Sequence, residues 1–267
     1  MIGDTMREGN ASAPRKADRI AHIILMQLVL GVALLAGWES YGRFVDGSLT
    51  SMPSDIAVRL AQWAGSGLWL HVATTLFEIV AGVAIGVPAG VAAGLLLGRA
   101  RLLGALLRPI VTLLYSVPFI ALTPLLIMWF GVGIAPKVIL VAMSSFFLMF
   151  FATFSGARSV DSDLIATVDI MGATPRERFL KVIAPACGPW IVSGIKTVLP
   201  FALIGATIGE MLAAQAGVGS LLSNAANDFD IAGFYAALFI LMILGILFRT
   251  LAQRLEDWLL RWRQRVE

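Results

Sequence analysis

Six long apolar stretches, separated by short polar segments, constrain this chain more than any other feature of its sequence. A helix of about 20 consecutive apolar residues is long enough to cross the hydrocarbon core of a bilayer. Hydrophobic residues make up 58% of the chain and charged residues 14%, so a soluble fold would leave large apolar patches exposed. The sequence therefore predicts an all-α, polytopic membrane protein with about six transmembrane helices. The predicted spans lie at about residues 20–40, 70–97, 109–131, 137–157, 189–213 and 232–253.

Lys and Arg residues are distributed unevenly between the two predicted sides of the membrane, and they normally concentrate on the cytoplasmic side. With the N-terminus inside, only Arg43, Arg59 and Lys137 lie outside and Lys196 lies within a span, so that 16 of the 20 basic residues lie inside. Both termini are therefore predicted to be cytoplasmic. The predicted organisation is a cytoplasmic tail over residues 1–19, a transmembrane domain over 20–255 and a second cytoplasmic tail over 256–267.

Several classes of function are disfavoured by residues that the chain lacks. With one cysteine, Cys187, and two histidines, His22 and His71, the chain is not expected to form an internal disulfide or a His/Cys metal site. It has no Gly-x-x-x-x-Gly-Lys-Ser/Thr motif for binding nucleotide phosphates, and no nucleophile–base constellation is visible. We therefore expect no enzymatic activity and no bound cofactor or metal. Because the basic residues flank apolar runs, nucleic acid is not an expected partner either.

The second predicted span carries a glycine at every fourth position. On a helix these glycines form a groove along one face, and small residues let neighbouring helices approach closely in lipid. Tight helix packing is the favoured interpretation, and a pore-lining face is the alternative. The glycines are Gly82, Gly86, Gly90, Gly94 and Gly98.

The third predicted span is interrupted by Pro109, Pro118 and Pro124. Interrupted helices in transporters often mark the substrate pathway, but prolines also produce ordinary kinks. Both interpretations remain open.

The two longer outside segments differ in character. Residues 43–69 contain a helix start at Pro53, followed by apolar residues at helical spacing, and so predict a short amphipathic helix on the outer surface. Residues 214–231 are rich in Gly, Asn and Asp and predict a polar connection.

The longest internal polar segment, residues 158–188, has its own helix signals. Asp161 is placed to cap a helix that runs to Ile170, and Gly172 then supplies a turn. Thr174 to Glu177 has the spacing of a capping box, with Pro175 at the first helical position, and starts a second helix that runs to Pro185. The segment is predicted to be either a docking site for a cytoplasmic partner or a self-packed loop.

Three ionisable residues, Glu78, Lys196 and Glu210, fall within or at the ends of predicted spans. Charged groups at such depths need a partner or water. Ion pairing within the protein is the favoured interpretation, with Glu78 and Lys196 on neighbouring helices as one possible pair. A gate near the outer end, involving Glu210, and direct contact with a solute are the alternatives.

The internal segment resembles the EAA loop of ABC-importer permeases, whose pattern is Glu-Ala-Ala, a glycine after three residues and an apolar-x-Pro about nine residues later. Further similarities, over about residues 50–255, point to the nitrate/sulfonate/taurine branch. The loop positions are Ala166, Thr167 and Val168 for Glu-Ala-Ala, Gly172 with Ala173, and Ile183-Ala184-Pro185. The other motifs are Ser51-Met52-Pro53, His71 with Thr74-Thr75-Leu76, Ser116-Val117-Pro118, Pro124-Leu125 with Trp129-Phe130-Gly131, Glu210, and Gly217-Val218-Gly219.

The resemblance implies a type I ABC-importer permease in the bacterial inner membrane. Two permease copies, expected to be identical, would enclose one pathway. Two cytoplasmic ATPases would bind ATP and Mg²⁺, and a periplasmic or lipid-anchored binding protein would deliver a small anionic or organic solute. Sulfonates, taurine, nitrate and heterocyclic vitamin precursors are the solutes that the resemblance suggests.

The resemblance also implies roles for individual residues. The ATPase-coupling residues would be Asp163, Ala166, Thr167, Val168, Asp169, Gly172, Ala173, Arg176 and Pro185. Apart from the resemblance, the predicted pathway or gate residues are Ser116 and Pro118 in the interrupted span and the three ionisable residues Glu78, Lys196 and Glu210. Two positions depart from the family pattern. Ala166 replaces the loop glutamate, for which Asp163 or Asp169 is the expected substitute, and Glu78 stands where this branch usually has arginine.

Two other classes of function compete with this one. A stand-alone secondary transporter would use Glu78 or Glu210 as a proton carrier. A membrane enzyme or scaffold is the third class, and an enzyme would need polar catalytic clusters at membrane depth. The organised internal loop favours the importer permease.

Overall fold

A computed structural model describes residues 16–44, 50–213 and 215–260, without the side chains of residues 16–21 and 101. Every element in these ranges is helical, which confirms the predicted all-α fold. The α-helices are α1 Lys16–Phe44, α2 Pro53–Gly65, α3 Leu68–Arg99, α4 Arg101–Tyr115, α5 Thr123–Phe130, α6 Ile134–Arg158, α7 Ser162–Ile170, α8 Pro175–Arg178, α9 Ala184–Ala186, α10 Gly188–Ala213, α11 Val218–Asn227 and α12 Ile231–Leu259. A 3₁₀ turn spans Phe119–Leu122 and a π-helical turn spans Phe179–Ile183.

Among the described residues, five helices are long and apolar enough to span a membrane: α1 from His22, α3, α6, α10 and α12. The count rises to six if α4, the 3₁₀ turn and α5, which are bent by 73° at the break after Tyr115, together make one broken span. Pro118 lies in this break, and residues before a proline are biased away from helical backbone angles. The five or six candidate spans agree with the predicted number of about six, and the predicted interruption of the third is confirmed.

The described residues divide into two units, the first up to residue 57 and the second from residue 58. In the first unit, α1 is tied to the start of α2 because the Glu39 carboxylate accepts hydrogen bonds from the Ser54 main-chain N–H, at 3.1 Å, and from the Ser54 hydroxyl, at 2.9 Å. The second unit contains the remaining spans.

The core of the second unit is the packing of α3 along α6, and the glycine groove makes it possible. A Cβ added at Gly90 would lie 2.5 Å from the Phe146 carbonyl oxygen, and one at Gly94 would lie 2.8 Å from Thr153 Cβ. Real Cβ atoms do not approach other heavy atoms this closely. The packing interpretation of the glycine groove is therefore confirmed for these positions.

We expect Gly90→Leu to lower the stability of the folded chain by about 1–3 kcal/mol, because it overfills the contact between α3 and α6. The measurement is thermal unfolding in detergent, with the monodisperse yield as a second readout. Gly37→Leu on α1 is the matched control, since an added Cβ there meets nothing within 4 Å. Equal unfolding temperatures for the two variants would contradict the packing role of the groove.

The outer segments agree with the sequence in one case and differ in the other. The amphipathic helix predicted after Pro53 is confirmed as α2. Residues 214–231, predicted as a polar connection, contain the ten-residue helix α11. Its apolar face is short: Val218, Leu222 and Ala225 recur at helical spacing between Gly, Ser and Asn residues, and all three are buried.

Candidate coupling loop and membrane polar cluster

The loop between α6 and α10 folds as its sequence predicts. The Asp161 carboxylate accepts a hydrogen bond from the Asp163 main-chain N–H at 2.8 Å and so caps α7. Gly172 has φ 82°, in the left-handed region that favours glycine. Thr174 and Glu177 form the predicted capping box, with each side chain accepting a hydrogen bond from the other's main-chain N–H.

The second half of the loop continues without a break from α8 through the π-helical turn to α9. The predicted extent of this helix is therefore confirmed, and the π-helical turn is the difference. Pro185 has no N–H and its ring would crowd the carbonyl group four residues earlier, at Lys181, inside the π-helical turn. Lys181 also pairs with Glu177 at 2.9 Å, and this contact, with the hydrogen bonds from Thr174, lowers the pKa of Glu177 to about 2.

The tip of the loop presents two large apolar side chains to its surroundings. Ile170 is 87% exposed and Met171 is 79% exposed, at the turn formed by Gly172. The tip lies outside the candidate membrane spans. Neighbouring apolar side chains left exposed at an ordered turn are typical of a protein-contact surface.

The two aspartates expected to replace the loop glutamate have different surroundings. Asp169 pairs with Arg178, at 2.8 Å, and thereby joins the two halves of the loop. Asp163 is exposed and forms no ion pair with any described residue. The other predicted coupling residues are exposed at Ala166, Thr167, Arg176 and Pro185 and half-buried at Val168 and Ala173.

A buried ion pair joins Glu78 of α3 to Lys137 of α6. Their side chains are 0% and 4% exposed. The pairing of Glu78 with Lys196 considered from the sequence is therefore wrong, because Lys196 pairs instead with Glu256 on α12. Lys137, predicted in an outside segment, lies instead in α6 with its side chain buried against Glu78.

Glu210 of α10 is 1% exposed and lies in a network of hydrogen bonds. Its carboxylate accepts from the Thr75 hydroxyl at 2.6 Å and from the Gly219 main-chain N–H at 2.7 Å. The Thr75 oxygen in turn accepts from the Val218 main-chain N–H at 2.9 Å. The network connects α3, α10 and α11 at one end of the bundle.

Gly217 fits this network because it has no side chain. A Cβ at this position would overlap the Glu210 carboxyl group, and φ is 129°. The Gly217 main-chain N–H donates to His71 Nδ1 at 3.1 Å. The Gly217-Val218-Gly219 motif thus places backbone donors around buried polar side chains.

We call Thr75, Glu78, Lys137 and Glu210 the membrane polar cluster. The contacts of Glu78 and Glu210 favour structural pairing for both residues, and a role in solute contact or gating remains a prediction for them and for Lys196. Sequence reasoning missed Lys137 as a partner. The only signal was its helical register on α6, which places it on the same buried face as Leu140 and Val141.

Ser116 and Pro118 line a cavity of about 310 Å³ at the break between α4 and α5. The other walls come from α6 and α10, through residues such as Ser144 and Phe201. Every lining residue is uncharged. The two predicted pathway residues in the interrupted span thus face a common space that is mostly apolar.

A family model described as the binding-protein-dependent transport system inner membrane component matches residues 86–261. The chain is 31% identical over 233 residues to a formylaminopyrimidine transport permease protein of Halalkalibacterium halodurans, with 87% of this chain and 93% of the relative covered. It is 30% identical over 262 residues to a putative aliphatic sulfonates transport permease protein of Bacillus subtilis, with coverage of 97% and 95%. A riboflavin transport system permease protein of Chloroflexus aurantiacus is 34% identical over 211 residues, 79% of each chain.

The fold is similar to that of a chain of the MetNI methionine ABC transporter in an inward-facing conformation. The TM-score is 0.60 at 22% identity, over 74% of this chain and 96% of the other. This likeness confirms the predicted type I importer fold. The chain therefore belongs to the family of binding-protein-dependent transport system inner membrane components, as a multi-pass inner-membrane permease component of an ABC importer.

Proposed function

We propose that two copies of this chain form the pathway of an ATP-driven importer and that each receives motion from a cytoplasmic ATPase through residues 158–188. The observation that carries the proposal is the loop tip, where Ile170 and Met171 project from an ordered helix–glycine–helix turn. A turn of this kind can seat its apolar side chains in a groove of a partner and pass rigid motion to α6 and α10. Co-purification of the chain with a nucleotide-binding partner tests the proposal.

ATP and Mg²⁺ are proposed to bind the partner ATPase, and a solute-binding protein is proposed to dock on the outer face. The alternative of a proton-coupled secondary transporter is less well supported by the membrane polar cluster, because Glu78 and Glu210 are both buried against protein partners. Uptake by the purified chain alone, without ATP, would favour that alternative.

The proposed solute is a small organic molecule. The uncharged lining of the cavity at Ser116 and Pro118 supports contact with carbon-rich surface and offers few groups for a bare inorganic ion. The relatives named for sulfonates, formylaminopyrimidine and riboflavin transport agree with this class. Thermal-shift screening of the partner binding protein against sulfonates, taurine, nitrate and heterocycles would identify the solute.

We expect Asp163→Ala to weaken ATPase binding more than Asp169→Ala, by roughly three- to tenfold. The exposed Asp163 carboxylate, which pairs with no described residue, can contact the ATPase directly, whereas Asp169 already pairs with Arg178. The measurement is the dissociation constant of the ATPase for reconstituted permease. A larger loss from Asp169→Ala would instead assign the contact that replaces the glutamate missing at Ala166 to Asp169.

The predicted orientation also has a direct test. In a Cys187→Ser background, a cysteine at Asp228, at the C-terminal end of α11, should react with a membrane-impermeant thiol reagent in intact cells. A cysteine at position 262, which lies outside the described residues, should react only after permeabilisation. The reverse pattern would invert the proposed topology, with both termini outside.

A further inference from the structure

A polar cavity of about 420 Å³ lies between the loop helix α7 and the ends of α3 and α6. One face of α7 lines it with Ile165, Ala166 and Asp169, which recur at helical spacing. The facing wall carries Arg99, the last residue of α3, and Arg158, the last residue of α6. We call this space the arginine cavity.

The positive charge of the arginine cavity is not balanced by the residues that the structure describes. Arg99 donates to the Ala157 carbonyl oxygen at 3.4 Å, and the Arg158 guanidinium lies 5.5 Å from the ring centroid of Phe154. Neither arginine forms an ion pair with a described carboxylate. Asp169, the one acidic residue among the described lining, is already paired with Arg178.

The location of the arginine cavity favours a lipid as the source of the missing negative charge. Arg99 and Arg158 are the last residues of two candidate membrane spans, α3 and α6, and basic residues at such ends are typical of the membrane interface. Leu96 and Leu102, on either side of Arg99 along the chain, are 64% and 74% exposed and offer apolar surface for acyl chains. Basic pockets between transmembrane helices on the cytoplasmic side are suited to anionic head groups.

We propose that the arginine cavity binds the phosphodiester head group of an anionic phospholipid of the cytoplasmic leaflet. The guanidinium groups of Arg99 and Arg158 donate to the phosphate oxygens, a geometry for which planar guanidinium is well matched. Ala166 contributes only a methyl group to the cavity. A glutamate at this position would fill part of the space and neutralise part of the positive charge, so the alanine leaves both available for a phosphate. The bound phosphate then joins the loop helix to the ends of α3 and α6.

The test uses the purified full-length chain and two lipids with identical acyl chains, dioleoyl phosphatidylglycerol and dioleoyl phosphatidylcholine. Native mass spectrometry should show phosphatidylglycerol retained in preference to phosphatidylcholine. The double substitution Arg99→Gln/Arg158→Gln should lower the apparent affinity for phosphatidylglycerol about tenfold. Ala166→Glu, which places a carboxylate in the cavity, should lower it as well, whereas Thr167→Glu, outside the cavity lining, should not.

The matched charge control is Arg249→Gln/Arg254→Gln on α12. It removes two exposed arginines from the same predicted side of the membrane without touching the cavity. Equal losses of phosphatidylglycerol affinity in both double variants would overturn the proposal, because lipid binding would then reflect only a general attraction between basic residues and acidic lipid. Complete displacement of the lipid by millimolar inorganic phosphate would also overturn it. If Arg99→Gln/Arg158→Gln leaves lipid binding unchanged but abolishes ATPase co-purification, the proposal is wrong and the two arginines instead bind a carboxylate of the partner.

Discussion

Substitution of Gly172 by arginine is expected to abolish solute-stimulated ATP hydrolysis in reconstituted vesicles while leaving the chain folded and inserted. The backbone of Gly172 has φ 82°, and a residue with a side chain in this conformation costs roughly 1–2 kcal/mol. This strain alone lowers the population of the observed turn by about tenfold. The added charge also lies beside Ile170 and Met171, on the surface proposed to enter the ATPase.

Steric crowding within the chain does not contribute to this effect, because a Cβ added at Gly172 meets nothing within 4 Å. Gly172→Asn is therefore the informative control, since asparagine tolerates the left-handed conformation and adds no charge. It should retain most of the coupling. The measurements are ATPase co-purification and solute-stimulated hydrolysis. Full coupling in Gly172→Arg would remove the loop tip from the proposed mechanism.

The coupling loop could be predicted in detail because the signals that shape it are local. Asp161 caps the helix that begins at the next residue, Thr174 and Glu177 form a capping box, and Gly172 specifies its own turn. The number of spans follows equally directly from the length of the apolar runs. Such features depend on neighbours in the chain and not on the packing of distant helices.

The contacts within the membrane polar cluster could not be predicted from the sequence in the same way. Glu78 and Lys137 are 59 positions apart, and their pairing depends on how α3 rotates against α6 in the glycine groove. The sequence gives the depth of each charge only roughly, so Lys196 could be considered for Glu78 although it pairs with Glu256. Helix α11 was not predicted for a related reason. Its apolar face is short, and it is the contact with the Glu210 network and its helices that buries this face.

The glycine groove and the membrane polar cluster together show how α3 is fixed in the bundle. The glycines bring the α3 backbone against α6, while Glu78 and Thr75 on α3 bond to Lys137 on α6 and Glu210 on α10. Packing alone would allow α3 to slide by one turn along the groove, since the glycines repeat every four residues. The polar contacts select one register, because a shift of one turn would leave buried charges without partners.

Loss of the Lys137 ammonium is therefore expected to destabilise the folded chain strongly. Lys137→Met should lower the free energy of unfolding by about 3–5 kcal/mol, because it leaves the buried Glu78 carboxylate unpaired beside the Glu210 carboxyl. Denaturant unfolding in mixed micelles measures this effect. The double substitution Glu78→Gln/Lys137→Met should recover most of the loss, because it removes both charges together.

The pair between Lys196 and Glu256 provides a control with the same chemistry, since its side chains are 40% and 30% exposed. Both side chains are partly exposed, so that Lys196→Met should cost less than Lys137→Met, only about 0–1 kcal/mol. The difference between the losses in free energy of unfolding caused by Lys137→Met and by Lys196→Met measures how much burial adds to the cost of leaving a carboxylate unpaired. If Lys137→Met unfolds at the same denaturant concentration as Lys196→Met, Glu78 must reach water or another cation, and its pairing with Lys137 does not fix the register of α3 against α6.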